Sequence, residues 1–143
     1  SEDGLEQIHH FTIDNSPLLS NNIASISIND DGEVFMGTAK GIISYKGTAT
    51  PPQPAGTKVY AYPNPVRENF TGLIAIKGLE NNSYIKITDS YGNLVYQTKS
   101  EGGQAVWDGN NFNGQHVATG IYMVFAVTID KSEKVVTKIL VIR

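Results

Sequence analysis

The feature that most constrains this chain is a proline-rich stretch at residues 47–56, which separates two groups of short apolar segments. Three of the four residues at positions 51–54 are proline. Proline fixes φ and has no amide donor, so this stretch cannot lie inside a sheet and is typical of a semi-rigid extended linker. We therefore expect two regions, residues 1–46 and residues 57–143, joined by the linker.

The first region predicts a series of short β-strands at residues 8–13, 23–28, 34–36 and 42–45. None of these segments has the length or the 3.6-residue period of an amphipathic helix. The Asn-Asp-Asp-Gly sequence at residues 29–32 predicts a hairpin turn, because Asn, Asp and Gly tolerate positive φ.

The second region predicts seven strands separated by clusters of Gly, Asn, Asp and Pro. Residues 121–129 are apolar on one face of the predicted strand and mostly apolar on the other, so we expect that strand at the centre of a sheet. Seven short strands with turns every 8–12 residues indicate an all-β, antiparallel sandwich. The predicted strands are residues 57–62, 71–77, 83–89, 93–99, 103–107, 120–130 and 134–142.

Composition excludes several functions. A net charge of −3 gives no electrostatic basis for binding nucleic acid. The longest apolar run, residues 121–127, is far shorter than the ~20 residues of a membrane-spanning helix. The absence of cysteine excludes disulfides, thiolate catalysis and Cys-ligated metals. Residues 1–10 have neither the basic start nor the apolar core of a signal peptide, which we attribute to excision from a longer protein.

Residues with metal-binding or catalytic chemistry do not converge. Asp108 stands among Asn110, Asn111 and Asn113, but one carboxylate without EF-hand spacing favours turns over a calcium site. Adjacent strand residues point to opposite faces, so His9 and His10 are poorly placed to chelate one ion. With His116 isolated and no serine in a nucleophile elbow, we expect neither an enzyme nor a cofactor.

Trp107, the only tryptophan, ends a predicted strand next to a turn. Packing in or at the rim of the core is the favoured interpretation. The alternative is a sugar-stacking platform, because a flat exposed aromatic ring covers the apolar face of a sugar. The sequence leaves both open.

The first region resembles one unit of the two-component-regulator propeller repeat: a strand, an Asp-Gly turn, a strand ending in Gly-Thr, and a Gly-Ile strand. Phe35 stands where many units carry tryptophan. A complete propeller needs several four-stranded blades, so the resemblance implies a partial blade from the end of a larger propeller. Its open strand edges would invite self-association. The matching residues are 21–23, 25–28, 31–32, 34–38 and 41–42.

The second region resembles the C-terminal sorting domain of the type IX secretion system of Bacteroidota. Six motifs occur in the family's order, from Tyr-Pro-Asn-Pro-Val to a basic-apolar end. Together with the propeller repeat, they resemble the family of PorZ-like surface proteins. The motifs lie at residues 62–66, 87–95, 107–109, 113–114, 120–122 and 138–143.

The resemblance implies a seven-stranded immunoglobulin-like sandwich at residues 57–143 that acts as a non-enzymatic module for export to the outer surface. Its partners would be type IX components at the outer membrane, with lipopolysaccharide or a glycan as an open alternative. A periplasmic or surface sensor that binds a glycan through Trp107 is the rival function. The resemblance assigns recognition to the last strand: Lys138, Ile139, Leu140, Val141, Ile142 and Arg143.

Overall fold

The computed structural model of this chain describes residues 9–127 and 133–143. Within those residues ten strands form three antiparallel sheets and no helix occurs, which confirms the all-β prediction. The described part accordingly contains no helix that could cross a bilayer. The chain divides between Gly47 and Thr48 into two compact units, called the first and the second unit below.

The first unit is a three-stranded antiparallel sheet of order β1-β2-β3. The prediction of a strand at residues 8–13 is wrong over the described residues, 9–13, and Ile8 lies outside them. These residues instead approach a local turn, in which Thr12 accepts hydrogen bonds from the N–H and hydroxyl of Ser16. The strands are β1 (Ile23–Ile28), β2 (Glu33–Thr38) and β3 (Gly41–Lys46).

Three turns of the molecule share one geometry. The side-chain oxygen of the first residue, Asn29, Asp89 or Asn111, accepts hydrogen bonds from the backbone N–H groups two and four residues later. Each turn has a glycine three residues on with φ between 73 and 87°, a conformation that glycine adopts without steric cost. The predicted turn at residues 29–32 is confirmed.

The second unit contains all seven strands predicted for it, most of them shorter than predicted. They form two antiparallel sheets of order β4-β5-β8 and β10-β9-β6-β7, so β9 lies inside its sheet as expected. Residues 128–130 of the predicted strand 120–130 fall outside the described residues. The strands are β4 (Tyr60–Tyr62), β5 (Ile74–Lys77), β6 (Tyr84–Thr88), β7 (Leu94–Lys99), β8 (Gln104–Trp107), β9 (Gly120–Val127) and β10 (Glu133–Val141).

Side chains from both sheets of the second unit fill one core. Ile76 and Trp107 come from the three-stranded sheet, whereas Ile87, Val124 and Ile139 come from the four-stranded sheet. Each of these five side chains is fully buried. Burial of this apolar surface from both sheets is the main stabilisation of the unit.

The proline-rich stretch lies along the second unit. Thr50 forms a parallel bridge with Gly102, and the Gln53 N–H donates to the Leu79 carbonyl over 3.0 Å. The Thr48 hydroxyl donates to the Glu101 carboxylate over 2.7 Å. Prolines supply no donors, so the non-proline residues of this stretch make these hydrogen bonds.

Candidate functional site

The terminal strand β10 separates its predicted recognition residues into two groups. Ile139 and Val141 are fully buried in the core, whereas Lys138 and Leu140 point to the opposite face and are exposed. This is the alternation expected of a strand with one face on a core. The buried pair therefore anchors the strand, and the exposed pair is accessible to a partner.

The side chain of Asn64 occupies the free edge of β10. Its Nδ2 donates to the Lys138 carbonyl over 2.8 Å, and its Oδ1 accepts from the Leu140 N–H over 3.0 Å. A carboxamide carries the same donor and acceptor as a peptide group. Asn64 thus takes the place of one peptide unit of a neighbouring strand.

Val66 continues this pairing with its backbone. Its N–H donates to the Leu140 carbonyl and its carbonyl accepts from the Ile142 N–H, both over 2.8 Å. The Val66 side chain is buried in the core, which anchors the segment. Together Asn64 and Val66 form an edge clasp that pairs the outward backbone groups of the terminal strand from Lys138 to Ile142.

Arg143 is held by the loop between β8 and β9. Its N–H donates to the Thr119 hydroxyl oxygen over 2.8 Å, and that hydroxyl donates to the Arg143 carbonyl over 3.1 Å. The Arg143 Nη2 lies 3.4 Å from Nδ1 of His116. These contacts fix the position of the last residue of the chain.

Two ionisable groups near this end of the second unit are perturbed. Burial raises the pKa of the Tyr122 phenol above its ordinary 10.0, the negative charge of Asp89 raises it further, and Arg143 opposes the shift. A hydrogen bond from the Asn93 side chain lowers the pKa of Asp89 below its ordinary 3.8, against a desolvation effect that raises it. The backbone N–H groups of Tyr91 and Asn93 also stabilise the Asp89 carboxylate.

Trp107 is a core residue. Its exposed fraction is 0%, its ring centroid lies 5.6 Å from that of Tyr122, and its Nε1 donates to the Asn110 carbonyl over 2.8 Å. A covered indole has no free face for a sugar. The structure therefore contradicts the sugar-stacking platform at Trp107 and agrees with the favoured interpretation, packing in the core.

The oxygen-rich loop after Trp107 is built as turns. Asp108 accepts from the N–H and the Nδ2 of Asn110, both over 2.9 Å. Its side-chain oxygens thus close the loop on itself, as the turn interpretation requires. Across residues 9–127 and 133–143, no group of three His, Asp or Glu side chains is arranged to hold a metal.

Sequence reasoning identified residues 62–66 as a motif but missed their role at the strand edge. The available signal was an asparagine between two prolines, Pro63 and Pro65. Two prolines remove the amide donors on either side of Asn64, which favours its carboxamide and the Val66 N–H as the groups that pair with a strand there. That signal does not identify which strand, because Asn64 and Leu140 are 76 residues apart.

Comparison with known proteins gives one family and two related structures. Residues 60–143 match the family described as secretion system C-terminal sorting domain. PorZ, an essential bacterial surface component of the type-IX secretion system of Porphyromonas gingivalis, matches with a TM-score of 0.61 and 37% identity. The match covers 100% of this chain and 19% of the PorZ chain.

A weaker structural match is the BSP domain of a biofilm-associated protein, with a TM-score of 0.41 and 17% identity. It covers 77% of this chain and 18% of that chain. No curated protein matches the sequence.

Proposed function

This chain belongs to the family of secretion-system C-terminal sorting domains, and from that membership we propose that it directs export or outer-surface assembly by a type IX secretion system. The family match at residues 60–143 carries the proposal, because it includes both the edge clasp and the terminal strand. The PorZ resemblance supports the same system. The route we propose runs from the periplasm to the outer-membrane surface.

Recognition is assigned to Lys138, Ile139, Leu140, Val141, Ile142 and Arg143 in two roles. Exposed Lys138 and Leu140 contact the partner, while buried Ile139 and Val141 keep the strand in place. Arg143 is exposed at the end of the strand. The partner is a component of the secretion machinery at the outer membrane, and the module itself is non-enzymatic.

We further propose the finer architecture that the family resemblance implies. Residues 57–143 form an immunoglobulin-like sandwich, supported by two antiparallel sheets around one core. Residues 1–46 form a partial propeller blade from a larger parent, supported by their three-stranded antiparallel sheet. Residues 47–56 connect the two.

We also propose that the first unit contacts another part of the parent protein or a second molecule. The edges of its sheet support this proposal. β1 and β3 are the outer strands of their sheet. Ile26, Ile28 and Ile42 on these strands are 64, 65 and 75% exposed. Unpaired edges and exposed apolar side chains favour association.

A glycan-binding sensor is the alternative function, with lipopolysaccharide or another surface glycan as ligand. Burial of Trp107 removes the contact on which it first depended. What now supports it is Phe112, which is exposed with its ring centroid 6.4 Å from that of Tyr96. Specific glycan binding that is lost in Phe112→Ala would favour this alternative over export.

The test of the proposed function is a gain of export. The whole chain is fused to the carboxyl end of a periplasmic reporter in a Bacteroidota strain with a type IX system, and in a matched strain that lacks the system. We expect surface reporter, measured by its sensitivity to external protease, only in the competent strain. A reporter confined to the periplasm of both strains rejects the proposal.

Truncation of residues 138–143 is expected to trap the fusion in the periplasm. Because this deletion also removes buried Ile139 and Val141, its periplasmic product needs a folding check. Lys138→Glu is the milder variant, since Lys138 is exposed and leaves the core unchanged.

A further inference from the structure

Residues 48–53, which we call the strap, pair with the connection between β7 and β8 as a short parallel strand would. The Thr50 N–H donates to the Glu101 carbonyl over 3.3 Å, and the Thr50 carbonyl accepts from the Gly103 N–H over 2.9 Å. These two bonds lie on either side of Gly102, the bridge partner of Thr50, as in a parallel ladder. The strap thus places both backbone polar groups of Thr50 on the second unit.

Both ends of the strap are also tied to the second unit. At its start, the Gln104 Nε2 donates to the Thr48 carbonyl over 3.0 Å, and the Thr48 hydroxyl donates to the Glu101 carboxylate. At its end, the Gln53 N–H donates to the carbonyl of Leu79, a core residue that is 2% exposed. Hydrogen bonds therefore hold the strap at its start, its middle and its end.

A pair of glycines makes room for the strap. A Cβ added at Gly102 would collide with the Thr50 carbonyl oxygen, and one added at Gly103 would collide with the Pro51 carbonyl oxygen. Gly102 also has a φ of 64°, which favours glycine in any case, but Gly103 does not have a left-handed φ. The three atoms nearest to the Cβ position at Gly103 all belong to the strap, so it is the strap that excludes a side chain there.

The strap lies outside the residues that match the family. The match begins at Tyr60, whereas the compact second unit begins at Thr48. Gly103 links the strap to the matched part of the chain, because its N–H donates to Thr50 and its carbonyl accepts from the N–H of buried Leu79 over 3.0 Å. The second unit is thus longer at its start than the family match.

We propose that the strap is an integral part of the sorting module, which therefore begins at Thr48, and that the missing side chain of Gly103 is what seats it. In this proposal a passenger joined before Thr48 enters the module at a fixed point beside Glu101. The role of the strap in export rests on the proposed function, but its seating can be tested apart from export.

Hydrogen exchange in the whole chain tests the seating directly. In the wild type, the Thr50 and Gln53 amides should exchange at least about tenfold more slowly than in an unstructured peptide. Gly103→Ala should remove that protection, because the added methyl group displaces the strap without straining the backbone of residue 103. Unstructured-peptide rates at both amides of the wild-type chain would overturn the proposal.

A second variant removes a hydrogen bond from the strap itself. Gln53→Pro lacks the N–H that bonds to Leu79, and should lower the Tm of the whole chain by about 4 °C or more. Its matched control is Gln53→Ala, which loses the same side chain but keeps the N–H. Ala55→Pro is a second control, since Ala55 is the second residue of a turn closed from the Thr57 N–H to the Pro54 carbonyl, a position that suits proline. Both controls should melt with the wild type.

The two destabilising variants act through the same strap, so their effects should not add. The double variant of Gly103→Ala and Gln53→Pro should have about the same Tm as the less stable single variant. A Tm loss equal to the sum of the two single losses would mean that Gly103 and Gln53 act independently, and would overturn the strap.

The same variants in the reporter fusion test where the export module begins. We expect Gly103→Ala and Gln53→Pro each to lower surface reporter roughly threefold, and Gln53→Ala and Ala55→Pro to leave it at the wild-type level. Equal export by all four variants and the wild type would reject Thr48 as the start of the export module while leaving the proposed function intact. A wild-type fusion that stays in the periplasm rejects the proposed function, and with it the role of the strap in export.

Discussion

The two units are built from the same kinds of strand and turn but differ in what they bury. Among the residues that the structure describes, fifteen hydrophobic side chains form the core of the second unit, whereas Leu18 is the one buried side chain in the first unit. A single sheet has no second layer against which to bury its apolar face. We therefore expect the second unit to be stable by itself and the first unit to depend on a neighbour for its stability.

The strongest test of this difference is to separate the units at Gly47 and Thr48. We expect residues 48–143 to fold alone with one cooperative urea transition, because the core of the second unit remains intact. We expect residues 1–47 alone to show no cooperative transition, since a single sheet has no second layer against which to bury its apolar face. Circular dichroism during urea titration measures both.

A cooperative transition in isolated residues 1–47 at micromolar concentration would contradict the comparison. If that transition shifts with protein concentration, association through β1 and β3 is its cause. A transition that is independent of concentration would mean that the first unit is self-sufficient.

The second largest effect is expected at Trp107. Trp107→Ala removes the largest fully buried side chain and its hydrogen bond to Asn110, and should lower the free energy of unfolding by about 3–5 kcal/mol. Ile42→Ala in the first unit truncates a side chain that is 75% exposed. It should change the free energy of unfolding by less than about 0.5 kcal/mol. Urea denaturation of the whole chain gives both values.

The same pair of variants tests whether burial of a side chain predicts its contribution to stability in each unit. A small loss of stability in Trp107→Ala would mean that the indole is less tightly packed than its burial indicates. Equal effects of Trp107→Ala and Ile42→Ala would remove the energetic difference between the units.

Local patterns predicted most of this fold. Alternation and turn residues located all seven strands of the second unit and three in the first, because strand period and turn chemistry are properties of neighbouring residues. The strand at residues 8–13 failed because hydrogen bonds to Thr12 and Asn15 close a turn there instead. Apolar composition alone did not reveal that competition.

The candidate site depended on long-range contacts, and the sequence predicted it only in part. The terminal strand is visible as a basic-apolar end, but its edge is occupied by a residue 74 positions from Lys138. The core position of Trp107 likewise depends on Tyr96 and Tyr122, which lie on other strands. Turn propensity and periodicity carry no information on such pairs.

A smaller effect is expected at two asparagines that use their side chains differently. Asn64→Ala breaks two hydrogen bonds that hold the terminal strand, and should cost about 1–3 kcal/mol by leaving its backbone groups without protein partners. Asn29→Ala in the first unit breaks bonds to residues only two and four positions away. We expect Asn64→Ala to speed hydrogen exchange at the Leu140 amide, and Asn29→Ala to leave it unchanged.

Unchanged exchange at Leu140 in Asn64→Ala would show that Val66 alone maintains the edge clasp. Asn64→Asp refines the result, because a carboxylate still accepts from Leu140 but cannot donate to the Lys138 carbonyl. It should give an intermediate exchange rate.

The smallest expected effect compares the two units through one turn geometry. Asp89 in the second unit and Asn29 in the first accept the same pair of backbone hydrogen bonds, but only Asp89 is charged. The hydrogen bond from Asn93 lowers the pKa of folded Asp89 below 3.8. The ionised Asp89 carboxylate therefore stabilises the folded state fully when the pH is above the pKa of Asp89 in the unfolded chain. This stabilisation disappears as the pH falls through the lower pKa of Asp89 in the folded chain.

NMR titration of the Asp89 carboxyl carbon should accordingly give a midpoint below 3.8, the ordinary value. Asp89→Asn should reduce the loss of stability on acidification below pH ~4, because the substituted side chain no longer binds a proton there. Asp31→Asn removes the same charge from the first unit's turn, whose bonds are made by Asn29, and is the matched control. An Asp89 midpoint at or above 3.8 would mean that the Asn93 hydrogen bond does not favour the carboxylate, and that the two turns respond alike to acid.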